Sequence, residues 1–264
     1  MEASLPRHES DEKENNENNS LINIKRISIE EIYQKMVEAA RPTYTYYIFI
    51  ILAAIVASIG LINNDTAVVI GSMVIAPLIS PNMALALATT LADNNLITRS
   101  LFASITAYLI VFVIGMTFGE LFAVTPTGAE IFTRIDLNLF YVIIALCSGV
   151  AGALSLTKGV SQLLVGVMVA VAILPPLVSS GLLLGSDYLM ESFGAFLLFT
   201  VNVACINIAA VVTFLFQGVT PKSWWMRKKA KEWVGKALRT WLALLIILVI
   251  LIIVYDYFFD ISIY

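Results

Sequence analysis

Seven apolar stretches, each about as long as a bilayer is thick, recur along this 264-residue chain. They lie near residues 44–62, 66–92, 97–119, 137–157, 160–185, 193–216 and 240–258. A hydrocarbon core about 30 Å thick is crossed by about 20 helical residues. Inside it every backbone N–H and C=O must be satisfied without water, which leaves helices or closed barrels. The length of the runs selects helices. The expected fold class is therefore an all-α polytopic membrane protein with seven transmembrane helices. Composition agrees: charged residues make up 13% of the chain, against about 25% in a soluble domain.

The flanking segments are read in chain order. Residues 1–27 form an acidic, Asn-rich tail without an apolar run, which cannot bury enough surface to offset the entropy of ordering. Residues 28–42 read as an amphipathic helix, with Ser28 and Glu31 at capping-box spacing, Ile29, Ile32, Tyr33 and Met36 on one side, and Pro42 as its stop. A first three-helix unit spans 43–119 and an external loop 120–136. A second unit spans 137–217, a basic interfacial helix 218–239, and a seventh span with a short external tail 240–264.

Basic residues set the orientation. With the N-terminus cytoplasmic, 15 of the 16 Lys and Arg residues fall inside and only Arg134 falls outside. The C-terminus is then external and the localisation is a multi-pass cell-membrane protein. A five-span alternative, with 66–92 and 160–185 as re-entrant hairpins, gives 14 to 2, so charge does not separate the two.

GSMVIAPLISP at 71–81 and GVMVAVAILPP at 166–176 share Gly, Met, Val and the last Pro in register, 95 residues apart. Each has one apolar segment before it and one after. Units of three spans insert with opposite polarity, so a 3+3 inverted repeat plus one C-terminal helix is expected, an architecture common in secondary transporters.

The stretch NNDTAVVIGSMVIAPLISP, residues 63–81, resembles the signature of the family called domain of unknown function 389. There a small polar cluster runs into AVVIGSM-like residues and an APLxSP-like turn. The resemblance covers roughly residues 40–220. It implies a hydrophobic membrane domain and brings no activity, substrate or site residues with it.

Chemistry is scarce. The single histidine, His8, lies in the tail, so neither a Ser–His pair nor a His metal site is available. The expectation is no enzyme, no metal, no cofactor and no nucleic-acid partner. Cys147 and Cys205 read as packing residues.

Polar groups at membrane depth carry more information, because each must find a partner there. Asn64 and Asp65 open the second segment, either as a capped turn or as a polar mouth. Asn202 and Asn207 fall mid-way along the sixth, on two different stripes. Ser80 and Asn82 follow Pro77 in the second. Ser80-Pro81 has the chemistry of a helix start, so two half-helices are expected to meet near Ser80. A less polar break is expected at Pro175 and Pro176. Asn64, Asp65, Ser80, Asn82, Asn202 and Asn207 are thus the candidate solute or ion path. Arg227, Lys228 and Lys229 are the candidate contacts to anionic lipid headgroups. A transporter or channel for a small solute or ion, homo-oligomeric in the bilayer, is the leading expectation. The alternative is a non-transporting scaffold or sensor that binds lipids or partner proteins.

Overall fold

The computed structural model describes residues 29–135, 139–158, 162–220 and 224–263. The tail and Ser28, the capping residue of the expected capping box, lie outside them. The described residues form helices α1 (Ile29–Ala39), α2 (Tyr44–Ile62), α3 (Thr66–Ile75), α4 (Ile79–Leu91) and α5 (Asn94–Phe122). Then follow α6 (Ala129–Ile135), α7 (Leu139–Lys158), α8 (Gln162–Gly185), α9 (Leu189–Phe216) and α10 (Trp224–Ile263).

Among the described residues five helices are long and apolar enough to cross a membrane: α2, α5, α7, α9 and a stretch of α10. A sixth is added when α3 and α4, bent by 53° across a short break, count as one. Large apolar side chains stand outward on these helices, among them Phe49, Phe102, Leu109, Ile143, Phe193 and Ile247. Such a surface suits lipid and not water.

The two ends of the bundle are marked by short elements. α1 buries Ile32 and Met36 and packs against α4, and the Tyr33 hydroxyl donates to Asp93 Oδ2 at 2.6 Å. This is the α1 end. The carboxylate beside it raises the Tyr33 pKa above its ordinary value, with burial a lesser cause. Asp93 also caps α5, accepting from the Asn95 and Leu96 amides.

At the opposite, α6 end, the α2–α3 turn holds Asn64 in the left-handed region (φ 54°). Asn64 Oδ1 accepts from the Glu130 amide of α6 at 2.8 Å, and the Thr66 hydroxyl donates to the Glu130 carboxylate. The α5–α6 loop closes on Ser186, whose hydroxyl accepts from the Val124 amide and donates to the Gly119 carbonyl. Because Thr66 is tied at one end and Asp93 at the other, the bent α3–α4 pair runs from end to end. Tyr255 of α10 packs on Gly194, near the start of α9, so α10 finishes at the α6 end, away from α1.

The tightest crossing joins α5 to α8. A Cβ added to Gly115 would stand 2.8 Å from the Val178 carbonyl, and one on Gly181 2.5 Å from the Phe112 carbonyl. Gly119 and Gly185 are closer still, against the carbonyls of Leu182 and Met116. Each helix therefore offers a Gly-xxx-Gly face to the other, and backbone lies on backbone. The small-residue seam of α7 is used in the same way, with Gly149 against the Ile206 carbonyl of α9 and Ala145 and Ala153 fully buried. Cys205 is buried, but Cys147 stands exposed on α7 and so does not pack as expected; it falls on the outer face, two residues from Ala145.

Three sequence expectations need correction. The second apolar segment does form two half-helices, as expected, but they meet at 76–78, just before Ser80 and not at it. Pro77 has no N–H for the Met73 carbonyl and pushes the residue before it out of the helical region, and Ala76 is extended (φ −73°, ψ 114°). The helix restarts at Ile79 with Leu78 as its cap residue and no side-chain cap. Ser80 is thus half-buried inside the first turn, where Pro81 needs no N–H partner. Second, α8 continues unbroken through Pro175 and Pro176. Third, the basic segment and the last span form one helix, Trp224–Ile263, rather than an interfacial helix followed by a separate span.

Candidate functional site

The break in the α3–α4 pair sits beside the most polar spot of the interior. Asn82, 1% exposed, lies one turn into α4. Its Nδ2 donates to the Leu78 carbonyl, at 2.8 Å, so the amide is anchored to the break itself. Its Oδ1 accepts twice: from the Tyr108 hydroxyl of α5 at 2.9 Å and from Asn207 Nδ2 of α9 at 3.3 Å. Asn207 Nδ2 also donates to the Val203 carbonyl, and Asn207 Oδ1 is buried without a partner. Three helices thus meet through two amides and a phenol. Phe199 of α9 meets the Tyr108 ring edge-on at 5.0 Å and fixes its plane.

α4 and α5 are antiparallel neighbours. Stepping one turn at a time from the Asn82–Tyr108 contact toward the α1 end reaches Ala86 and Ser104, then Thr90 and Ser100. Ser100, Ser104 and Thr90 are all buried, and Ser100 Oγ has no partner. Polar side chains therefore lead from the junction toward Asp93 and Tyr33.

The structure unites only two of the sequence-nominated residues, Asn82 and Asn207. Ser80, two residues from Asn82, projects from the other side of α4. Asn202 faces α8 instead, where its Nδ2 donates to the Ala172 carbonyl at 2.8 Å. That carbonyl lost its in-helix donor to Pro176, four residues on. Asn202 supplies the hydrogen bond that Pro176 cannot. Asn64 and Asp65 are exposed at the α6 end. Asp65 caps α3 by accepting from the Ala67 and Val68 amides, the capped-turn role. The side chains of Arg227, Lys228 and Lys229 lie outside the described residues, although the backbone there is helical.

Tyr108 was missed. The signal was present: Ser100, Ser104 and Tyr108 recur every fourth residue, on one face of the third apolar segment. Among the described residues no three His, Cys, Asp or Glu side chains cluster as metal ligands would.

Fold and junction define a polytopic helical membrane protein with one broken helix and a polar contact buried at the break. The family described as Domain of unknown function (DUF389) matches residues 73–208, and the chain belongs to it. It is 37% identical over 248 residues to an uncharacterized protein of Methanocaldococcus jannaschii, covering 94% of this chain and 75% of that protein. No solved structure matches it.

Proposed function

We propose that this protein moves a small polar solute or ion across the membrane, with the Asn82–Tyr108–Asn207 junction as the point where the solute is met. The observation that carries this reading is the junction's position. Two buried amides and a phenol meet one turn from an unwound stretch of backbone, Asn82 alone reaching it through the Leu78 carbonyl, and Asn207 Oδ1 is left without a partner. Polar groups at membrane depth are expensive, and broken helices place backbone groups and helix ends where transported solutes bind. The buried hydroxyls of Ser100, Ser104 and Thr90 lie on the α1 side of the junction, the side from which a solute would come.

Packing supports the inverted repeat as well. The third helix of each unit packs on the middle segment of the other, α5 on α8 and α9 on α4. The units differ in their middles, since only the first is broken. Seven crossings, a cytoplasmic α1 end and an external C-terminus complete the proposal. Contact of the basic start of α10 with anionic lipid belongs to it too. So does homo-oligomerisation, for which residues 231–252 of α10 leave room, since only Val234 and Leu248 among them are buried.

The scaffold reading has its own observation: Leu78, Leu87, Ile173, Leu174, Val201 and Ile206 are almost wholly buried and form one contiguous apolar core. Flux separates the two. Proteoliposomes should take up or release at least one member of a panel of small neutral and ionic solutes faster than protein-free vesicles. Asn82→Leu should abolish the difference, and Tyr108→Phe should reduce it. If a folded protein gives no flux for any member of the panel, the transport reading falls and the scaffold reading takes its place.

A further inference from the structure

A second polar site lies apart from the junction, between α6, α7, α8 and α9. Arg134, Tyr141 and Asn202 bring polar atoms to a cavity whose lining is otherwise apolar, with Ile144 and Leu198 facing Val171, Ala172 and Pro176, and in which the space open to a water-sized sphere is about 30 Å³. About 10–15 Å³ by this measure holds one water, provided that two to four polar partners face it.

The partners can be counted from the sequence upward. Asn202 is 2% exposed. Its Nδ2 is spent on the Ala172 carbonyl, and its Oδ1 is buried with no partner. The reversed amide would set two oxygens against each other, so the acceptor must be the free atom. Pro175 removes the in-helix donor of the Val171 carbonyl, and Val171 lines the same cavity. Arg134 brings the donors. Its Nη2 meets Glu130 Oε2 at 3.5 Å, and its Nε is buried without a partner.

We propose that this cavity is a built hydration site that holds one or two ordered waters between Arg134 and the Pro175–Pro176 segment of α8. A water there donates to Asn202 Oδ1 and to the Val171 carbonyl and accepts from the Arg134 guanidinium, satisfying all three groups. An anion would find donors in Arg134 and Tyr141 but would be repelled by the two acceptors, Asn202 Oδ1 and the Val171 carbonyl, which it would leave unsatisfied. An apolar occupant would leave all three unsatisfied. The waters would complete the task that Asn202 begins, keeping α8 intact across two consecutive prolines. The inference stands independently of the transport reading.

The test is a cryo-electron microscopy map of the full chain in lipid nanodiscs, at a resolution that shows waters. One or two peaks within hydrogen-bonding distance of Asn202 Oδ1 and Arg134 are expected. A parallel map in bromide buffer should show the same peaks without the heavier ion. An empty cavity, a lipid tail in it, or bromide replacing the peak would each overturn the proposal. Xenon under pressure gives a second readout, since dry apolar cavities take it up: none should bind here, and a bound xenon atom would refute hydration. In the N202L/P176A variant, where α8 regains its own hydrogen bond, the peak nearest Asn202 should be lost; if it persists, Asn202 is not its partner.

Discussion

Replacing Asn202 by Leu isolates the device that carries α8 through its prolines. In the native chain the Ala172 carbonyl depends on Asn202 Nδ2, 2.8 Å away, because Pro176 has no N–H. Asn202→Leu leaves that carbonyl buried and unpaired, which costs about 1–3 kcal/mol. Pro176→Ala restores a donor within α8. In the Pro176→Ala background the same Asn202→Leu change should therefore cost much less. The difference between the two costs is the coupling energy. Interhelical hydrogen bonds in membranes average about 0.6 kcal/mol and reach about 1.7. An orphaned carbonyl adds a desolvation penalty to this, so coupling of about 1 kcal/mol is expected. Reversible unfolding of the four proteins in mixed detergent micelles measures it. Additive costs, agreeing within about 0.3 kcal/mol, would show that Asn202 does not serve the carbonyl opened by Pro176.

Other predictions rest on separate contacts. Gly119→Ala and Gly185→Ala each drive a Cβ into a facing backbone carbonyl, and should each destabilise the bundle by about 1–3 kcal/mol in the same assay. Gly71→Ala meets nothing within 4 Å and should be neutral or slightly stabilising; equal losses at all three positions would refute the close α5–α8 crossing. Tyr33→Phe removes the hydroxyl that holds α1 to Asp93 and should speed hydrogen exchange in α1 several-fold, the pair being partly exposed and worth at most about 1 kcal/mol. The Tyr33 pKa is raised in the folded chain, so the latch should be fully present below the ordinary tyrosine value of about 10 and be lost as pH climbs through the folded value; exchange in α1 that is insensitive to pH from 9 upward, after correction for intrinsic rates, would contradict this. Neutralising Arg227, Lys228 and Lys229 together should weaken association of the detergent-solubilised chain with anionic lipid by about 1 kcal/mol per residue near the surface, and unchanged association would remove lipid contact from the role of α10.

The class of fold was legible because it depends on the length of apolar runs, a one-dimensional property. The helix breaks were less so. Pro77 and Pro176 are the same residue type in similar surroundings, and both remove one N–H. Their outcomes differ because Asn202, on a helix 26 residues further along the chain, reaches the carbonyl exposed by Pro176. Among the described side-chain hydrogen bonds, none reaches the Met73 carbonyl exposed by Pro77. Segment-by-segment reading cannot see a donor that arrives from another helix. The same applies to Ser80: its chemistry suits a helix start, but Pro77 had already ended α3 and the chain restarted at Ile79 before Ser80 was reached.

The two intramembrane asparagines of α9 show how far one-helix geometry goes toward function. Five residues separate Asn202 from Asn207, so they point about 140° apart around the axis. Periodicity thus places them on different stripes, and the structure gives each stripe a different neighbour. Asn202 spends its donor on the backbone of an unbroken helix, α8. Asn207 spends its donor on Asn82, the side chain anchored to the broken one. Both leave an oxygen free, but only Asn207 is bonded to a side chain that is itself anchored at a helix break. A solute competing for the Asn82 contact would have to displace one long hydrogen bond of 3.3 Å and would find the freed amide ready to bind it. At Asn202 the same competition would leave the Ala172 carbonyl buried and unpaired. Asn207, and not its neighbour on the next stripe, is therefore the α9 residue whose substitution should alter flux while leaving the fold intact.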